Sequence, residues 1–258
     1  MSKPPNRRMS ISAGILLALL ALLAAGCAPR ALVPPAVPAP PAAPEARVAA
    51  ELQEQVEALA VAIEVAAREA EPALTALLQS LATETGAEMT GLEFRFKTGE
   101  SIRRKIGLIL GRDPSPAVWE VVIEDALRYT FLVDDAPPGY YDDTVRMVLQ
   151  ALEAEGHAVI KIKNYWPRGD AYSGVNSVLW SPEGLVWELQ FHTPASLAAK
   201  SFTHPLYEEM RLADTPVDEK DRLFDEMVER WDAVPVPAGV LVPLSLHPAE
   251  KIILRPPP

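Results

Sequence analysis

Residues 187–193, Trp-Glu-Leu-Gln-Phe-His-Thr, alternate apolar and polar side chains along one short run. Successive side chains of a β-strand point to opposite faces, so Glu188, Gln190 and His192 are predicted to share one face. A carboxylate held on a rigid strand suits catalysis or metal binding. An ordinary amphipathic strand with a solvated polar face explains the same pattern. The rest of the chain has to decide between these two interpretations.

Periodicity predicts an α+β fold around this strand, with a mixed β-sheet flanked by helices. Helical spacing over 46–83 is interrupted by Pro72, which predicts two helices or one helix kinked after Glu71. Ser101 is predicted to be the N-cap of the next helix. The predicted strands cover 91–97, 126–133, 157–164, and a hairpin of 177–180 with 185–192. The further helices cover 102–110, 142–155, 196–212 and 218–231.

The N-terminus has the pattern of a bacterial export signal. Three basic residues precede an apolar run over 15–25, which is shorter than the roughly 20 residues of a spanning helix. Small residues follow, and Cys27 lies where a lipobox places the cysteine that becomes lipidated. We therefore expect a lipoprotein signal peptide over 1–26 and a lipid-anchored protein of the cell envelope. An anchor that is never cleaved is the alternative.

The remaining chain divides by composition. Cys27 is the only cysteine, so no intramolecular disulfide is expected. Ala28 is not the Asp that commonly retains lipoproteins in the inner membrane, which favours outer-membrane sorting. An Ala/Pro-rich run predicts an extended tether. The expected parts are the tether at 27–44, a helical segment at 45–90, the main domain at 91–232 and a Pro-rich tail at 233–258.

Charge narrows the class of ligand. The net charge is −11, and removal of residues 1–26, which hold three bases and no acids, makes it −14. Such a protein does not bind polyanions non-specifically. Six bases nevertheless lie between positions 95 and 112, and three lie between 161 and 168. Local basic sites on an acidic body suit a small phosphorylated ligand, whereas solvated basic faces are the alternative.

The candidate chemistry combines these bases with two acids. Arg95 and Lys97 are predicted on one strand face, and Lys105 lies in the following helix, whose N-terminus also favours anions. Asp125 precedes the next strand. Together with Glu188 it would suit a divalent ion, because Mg²⁺ prefers carboxylate oxygens and substrate phosphates.

Several motifs then follow one another in order. They are Arg-x-Lys and Ser-Ile-x-x-Lys within 95–105, an Asp before a strand at 125, Lys-x-Tyr at 163–165, Tyr-Ser-Gly at 172–174, and Glu-x-Gln-x-x-Thr at 188–193, with His204 downstream. The segment 91–211 resembles the synthetase domain of the RelA/SpoT family, whose members transfer pyrophosphate from ATP to the 3′-hydroxyl of a nucleotide. The resemblance is closest to compact, toxin-like members.

The resemblance implies a nucleotidyltransferase-like fold and a role for each matching residue. Asp125 and Glu188 are the implied catalytic and metal-binding acids, with Mg²⁺ or Mn²⁺ as the metal, and Glu188 supports the metal or activates the 3′-hydroxyl. Tyr172 would stack on the acceptor base, and Lys163 would bind its phosphates. The implied nucleotide- and phosphate-binding residues are Arg95, Lys97, Ser101, Lys105, Arg128, Lys163, Tyr172, Asn176, Gln190 and His204.

Two residues depart from the family pattern. Asn176 stands where many synthetases have histidine, and His192 replaces the common arginine, so the acceptor is left open. The expected function is a 3′-pyrophosphokinase that uses ATP and a nucleotide acceptor, with tRNA as a less favoured acceptor, acting as a toxin-type effector. Because ATP is scarce outside the cytoplasm, a non-catalytic envelope lipoprotein that binds an anionic ligand through the same pocket is the alternative. A structural lipoprotein is a third hypothesis.

Overall fold

The computed structural model describes residues 44–112, 121–166, 171–240 and 250–252. The predicted signal peptide, Cys27, the tether up to residue 43 and most of the tail lie outside these residues. Within the described ranges, no helix combines the length and the apolar character that crossing a bilayer requires.

The described residues form five α-helices and one sheet of six strands. The helices are α1 (Pro44–Thr85), α2 (Gly99–Arg112), α3 (Tyr140–Ala154), α4 (Pro194–Met210) and α5 (Val217–Asp232). The strands are β1 (Glu88–Thr90), β2 (Arg128–Leu132), β3 (Ala158–Asn164), β4 (Val175–Trp180), β5 (Val186–His192) and β6 (Glu250–Ile252). Their order is β1-β2-β5-β4-β3-β6. β2 pairs with β5 and β3 with β6 in parallel, and the other pairs are antiparallel. The mixed sheet flanked by helices is confirmed.

One face of the sheet forms the main core. Trp187, Leu189 and Phe191 of β5 are fully buried in a cluster that also contains residues of α1 and α3. Aromatic rings of β2 and β5 meet edge to face, with centroid distances of 6.2 Å for Tyr129–Trp187 and 5.8 Å for Phe131–Phe191. Such pairs add to the free energy gained by burying apolar area, so this face stabilises the fold.

The opposite face of β5 is polar but not solvated. The exposed fractions of Glu188, Gln190 and His192 are 7%, 5% and 0%. The prediction that these side chains share a face agrees with the strand register, whereas the solvated amphipathic strand is wrong. Buried polar groups cost free energy unless they are hydrogen-bonded, so this face needs specific partners.

The predicted strand over 91–97 is wrong. Gly91 adopts a left-handed conformation with φ 64°, and Leu92–Phe94 form a 3₁₀ turn. β1 ends before this turn, and after it only Phe96 makes a bridge, to Leu127. The alternating side chains misled the prediction because a positive φ at glycine ends the extended run.

The other predicted elements agree with the structure to within a few residues, whereas β1 and β6 were not predicted, and β6 lies in the segment that was expected to be a Pro-rich tail. α1 is a single helix that contains Pro72, so the division into two helices is wrong. α2 is capped by Thr98 rather than by Ser101: the Thr98 hydroxyl accepts a hydrogen bond from the Ser101 backbone N–H at 3.3 Å. The hairpin of β4 and β5 is confirmed.

Candidate active site

Strand register gathers polar side chains into two rows on one face of the sheet. In the first row Arg128 of β2 lies beside Glu188 of β5, and Lys161 of β3 lies at the same level across β4. In the second row Gln190 lies beside Asn176, which lies beside Lys163. Residues that are distant in sequence therefore converge here because alternate positions of neighbouring strands face the same way.

Asp125 occupies the turn that enters β2. Its flanking residues Ile123 and Ala126 are buried in a cluster with α1 and α2, which fixes the turn. The two carboxylate oxygens accept hydrogen bonds from Lys97 Nζ and Lys105 Nζ, both at 2.7 Å. Burial raises the pKa of Asp125, but the two lysines outweigh it and hold this pKa below its usual value. Asp125 is therefore ionised at neutral pH. Both lysines that were predicted for this site, Lys97 and Lys105, bind it directly.

Glu188 has the opposite electrostatic environment. Burial raises its pKa, and the charge of Asp125 adds to the rise, whereas Arg128 opposes it. Gln190 Nε2 donates a hydrogen bond to its Oε1. A carboxylate with a raised pKa beside a partly buried arginine suits a general base, because a raised pKa makes the carboxylate a stronger base.

Lys200 of α4 belongs to this site although it was not predicted. Its Nζ donates to Gln190 Oε1 at 2.5 Å, so the amide of Gln190 bridges Lys200 and Glu188. Burial and the charge of Arg128 lower the pKa of Lys200 to about 8, against the opposing effect of Glu188. The available signal was helical spacing: Lys200 lies four residues before His204, on the same helix face.

His192 is the centre of a hydrogen-bonded chain. Tyr172 Oη donates to Asn176 Oδ1 at 2.9 Å and lies 2.9 Å from His192 Nε2. The Tyr172 oxygen then accepts from Nε2–H, which leaves Nδ1 to accept from Ser196 Oγ at 2.9 Å. Burial and the charges of Lys200 and Arg128 lower the pKa of His192 well below its usual value, so the ring is neutral.

Tyr172 is fixed by other aromatic side chains. Ring centroids of Tyr165, Trp231 and His192 lie 5.1, 5.3 and 5.5 Å from that of Tyr172. Trp231 comes from α5, and neither it nor Tyr165 was assigned to the acceptor site from the sequence. The predicted stacking residue is thus a rigid part of the polar face.

The remaining predicted residues divide between the site and its surroundings. Arg95 packs against α1, and its Nε binds Glu71 Oε1 of that helix at 2.8 Å. Its guanidinium carbon lies 4.9 Å from the Phe96 ring centroid. Ser101 lies in the first turn of α2 and accepts a hydrogen bond from Thr98. His204 is 64% exposed, one helical turn beyond Lys200. The structure does not bring Arg95 to the lysine pair on Asp125.

Arg128 is a central positive charge of the polar face. It lowers the pKa of Glu188, Lys200 and His192 through electrostatic interaction. Within the described ranges it forms no ion pair at 4.0 Å or less. An arginine in this position suits an anionic ligand because its planar fork matches phosphate oxygens.

A second acid, Glu124, binds a second lysine pair. Lys163 Nζ lies 3.2 Å from Glu124 Oε2, and Lys161 Nζ binds Oε1. Burial raises the pKa of Glu124, but both lysines outweigh it and keep this pKa below its usual value. Glu124 could not be predicted from the sequence pattern, because its partners lie 37 and 39 residues away along the chain.

The described residues contain no cluster of three His, Cys, Asp or Glu side chains that could hold a metal ion. Mg²⁺, however, is usually bound by one or two carboxylates together with waters and substrate phosphates. The charge of Asp125 is close enough to Glu188 to raise its pKa. These two acids are the carboxylates of the polar face that could hold a divalent ion together with water and a phosphorylated ligand.

No protein-family model matches the chain, and no curated protein is similar to it. Among solved structures, the chain is similar to the Type VI effector Tas1, from its complex with its immunity protein: identity is 21%, 66% of this chain and 93% of that chain are covered, and the TM-score is 0.43.

Two structures from Bacillus subtilis are also similar. For small alarmone synthetase 1, identity is 22%, coverage is 65% of this chain and 89% of that chain, and the TM-score is 0.46. For small alarmone synthetase 2, identity is 20%, coverage is 66% of this chain and 90% of that chain, and the TM-score is 0.47. These TM-scores lie below 0.5, and the likeness does not assign an activity to this chain.

Proposed function

We propose that this chain transfers a pyrophosphate group from ATP to the 3′-hydroxyl of a nucleotide or RNA acceptor, as a RelA/SpoT-like synthetase. The observation that carries this proposal is the pair of unlike carboxylates on one polar face. Asp125 is ionised between two lysines, and Glu188 is buried with a raised pKa. The ordered motifs from Arg95 to Thr193 support the same reaction.

The reaction needs little covalent chemistry from the protein. The acceptor 3′-oxygen attacks the β-phosphorus of ATP, the bond between that phosphorus and the α–β bridging oxygen breaks, and AMP leaves. Glu188 takes the hydroxyl proton as the new bond forms, because burial raises its pKa and so makes it a stronger base. Positioning and charge supply most of the rate enhancement in such transfers.

The donor phosphates would bind between α2 and the turn before β2. Lys97 and Lys105 would exchange their hydrogen bonds with Asp125 for bonds to phosphate oxygens. Arg128 would bind a further phosphate oxygen. Asp125, with Glu188, would hold a Mg²⁺ or Mn²⁺ ion, which neutralises charge on the transferred group. Ser101 and Arg95 would contact ATP from the start of α2 and from the α1 side.

The acceptor would lie toward β3 and β4. Lys163 would bind its phosphates, and the rigid ring of Tyr172 would stack on its base. Asn176 and Gln190 would form hydrogen bonds to the acceptor, and His204 lies at the exposed rim. Nucleotides are the favoured acceptors, with tRNA less favoured.

We also propose the domain limits and the location inferred from the sequence. Residues 91–232 would form the synthetase domain, with 45–90 as its helical N-terminal segment. Cys27 would carry a lipid anchor that holds the protein at the cell envelope, and outer-membrane sorting is favoured. Because ATP is scarce there, catalysis requires a toxin-type effector that reaches a compartment rich in nucleotides.

A non-catalytic binding protein is the second candidate. Two separate lysine pairs on the polar face, each held by one carboxylate, favour anion binding without any chemical step. This candidate fits an exported protein that meets no ATP.

One experiment separates these candidates. The full-length protein is incubated with ATP, Mg²⁺ and ADP, GDP, GTP or tRNA, and products are identified by mass. We expect AMP and a 3′-pyrophosphorylated acceptor. Nucleotide binding without product would favour the binding protein, and the absence of both binding and product would reject both candidates.

A further inference from the structure

Glu124 crosses the polar face to reach its lysines. It precedes β2, whereas Lys161 and Lys163 lie on β3, and both β5 and β4 lie between these strands. Neighbouring strands are about 4.8 Å apart, so β2 and β3 are separated by roughly 14 Å. The Glu124 side chain therefore extends from the β2 side of the sheet toward the lysines of β3. Its ion pairs thus connect the segment before β2 to β3, which are not neighbouring strands in the sheet.

We propose that Glu124 determines acceptor specificity by limiting the charge that the acceptor subsite accepts. This inference rests on the proposed function, which assigns Lys163 to the acceptor phosphates, and it adds Lys161, which binds the same carboxylate. The Glu124 carboxylate occupies the position between the two ammonium groups that a phosphate would take. The site consequently prefers a nucleoside monophosphate to a di- or triphosphate.

The charge balance supports this preference. Two lysines and one ionised glutamate leave one net positive charge, which is already less than the charge of about −2 that a single phosphate monoester carries. Each added phosphate would lie close to the Glu124 carboxylate, and repulsion between like charges is a common source of specificity. The exposed side-chain fractions of Lys161, Lys163 and Glu124 are 33%, 29% and 29%, so solvent screening is only partial.

Asp125 makes the contrast clear. It binds Lys97 and Lys105 and, as a metal ligand, would have its charge neutralised when Mg²⁺ arrives with ATP. Glu124 has no such assigned cation other than its two lysines. Asp125 and Glu124, which are consecutive in sequence, thus each bind one lysine pair, and only Glu124 would keep its negative charge beside a bound phosphate.

The test measures binding of GMP, GDP and GTP to the full-length protein by calorimetry without Mg²⁺. The variant is Glu124→Gln, and the matched control is Glu183→Gln, which removes one negative charge from the exposed β4–β5 turn. We expect Glu124→Gln to improve the affinity for GTP relative to GMP at least tenfold, whereas Glu183→Gln leaves this ratio unchanged. Glu124→Asp, which retains the charge, should keep the wild-type ratio.

A second variant links the effect to the acceptor lysines. In a Lys163→Met background, Glu124→Gln should no longer change the ratio of affinities. Equal shifts in Glu124→Gln and Glu183→Gln, a shift that persists with Lys163→Met, or no nucleotide binding at all would overturn the proposal. Because binding needs no turnover, a protein that makes no product but shows the expected shifts rejects the proposed reaction while retaining the role of Glu124.

Discussion

The two faces of β5 have the same backbone and nearly the same burial, yet they have different roles. Trp187, Leu189 and Phe191 pack into the main core. Glu188 and His192, on the other face, are equally enclosed but make hydrogen bonds. Burial alone therefore does not identify core residues in this protein. The alternation of side chains separates the positions that stabilise the fold from those that carry the chemistry.

Replacement of the Glu188 carboxylate by an amide should have the largest effect on activity. Glu188→Gln keeps the size of the side chain and removes its basic oxygen, so pyrophosphate transfer should fall at least 10³-fold, which is about 4 kcal/mol in the activation free energy. The free energy of unfolding should change by less than about 1 kcal/mol, because the change removes a buried charge. Initial rates and urea unfolding check the two parts.

Activity equal to that of the wild type in Glu188→Gln would remove the role assigned to this carboxylate. A loss of activity that is accompanied by unfolding would leave the two faces indistinguishable at this position. Only a loss of activity without a loss of stability would show that the polar face carries the chemistry and not the stability of the fold.

The neighbouring apolar position should respond in the opposite way. Leu189 is fully buried among aromatic side chains, and Leu189→Ala removes apolar contacts and creates a cavity. The free energy of unfolding should fall by about 3 kcal/mol. Urea unfolding measures this loss. The rate of pyrophosphate transfer per folded molecule should be close to that of the wild type. A lower turnover number in the folded fraction would show that the two faces are coupled.

Local patterns predicted most of the fold. Alternation predicted β5 and its hairpin with β4, and helical spacing predicted α3, α4 and α5, because each signal lies within one element. The segment 91–97 failed because alternation does not reveal the positive φ of Gly91. Pro72 failed as a helix breaker because a proline inside a helix can be tolerated when the surrounding helix is held by packing.

The candidate site was predictable where the motif spacing reflects direct contact. Lys97, Lys105 and Asp125 do meet. Glu124 and Lys200 were missed because each gains its importance from a strand or helix that is distant in sequence. Ion pairs of this kind depend on the order of strands in the sheet, which no local period encodes.

The buried His192 should make the free energy of unfolding depend on pH. Its pKa in the folded protein is lowered by burial and by Lys200 and Arg128, whereas an unfolded histidine titrates near 6.5. Below about pH 6.5 the unfolded chain binds a proton that the folded chain does not, so the free energy of unfolding falls by up to about 1.4 kcal/mol per pH unit. This contribution is present above pH 6.5 and is lost as pH falls.

His192→Gln removes that titration. The difference in unfolding free energy between wild type and variant should shrink between pH 7.5 and 5, and effects of carboxylates common to both proteins cancel. Urea unfolding at several pH values measures it. A difference that does not change with pH would mean that His192 is not held neutral in the folded protein.

The smallest effect is expected for Ser177, a polar residue on the apolar face. It lies opposite Leu189 in the register of β4 and β5, and its hydroxyl is buried without a hydrogen-bond partner among the described residues. A buried polar group without a partner costs free energy, so Ser177→Ala should raise the free energy of unfolding by about 1 kcal/mol. Thermal and urea unfolding of the variant check this sign. A decrease would mean that the apolar face also depends on a specific hydrogen bond, and the division between the two faces of the sheet would then be weaker than the alternation of β5 implies.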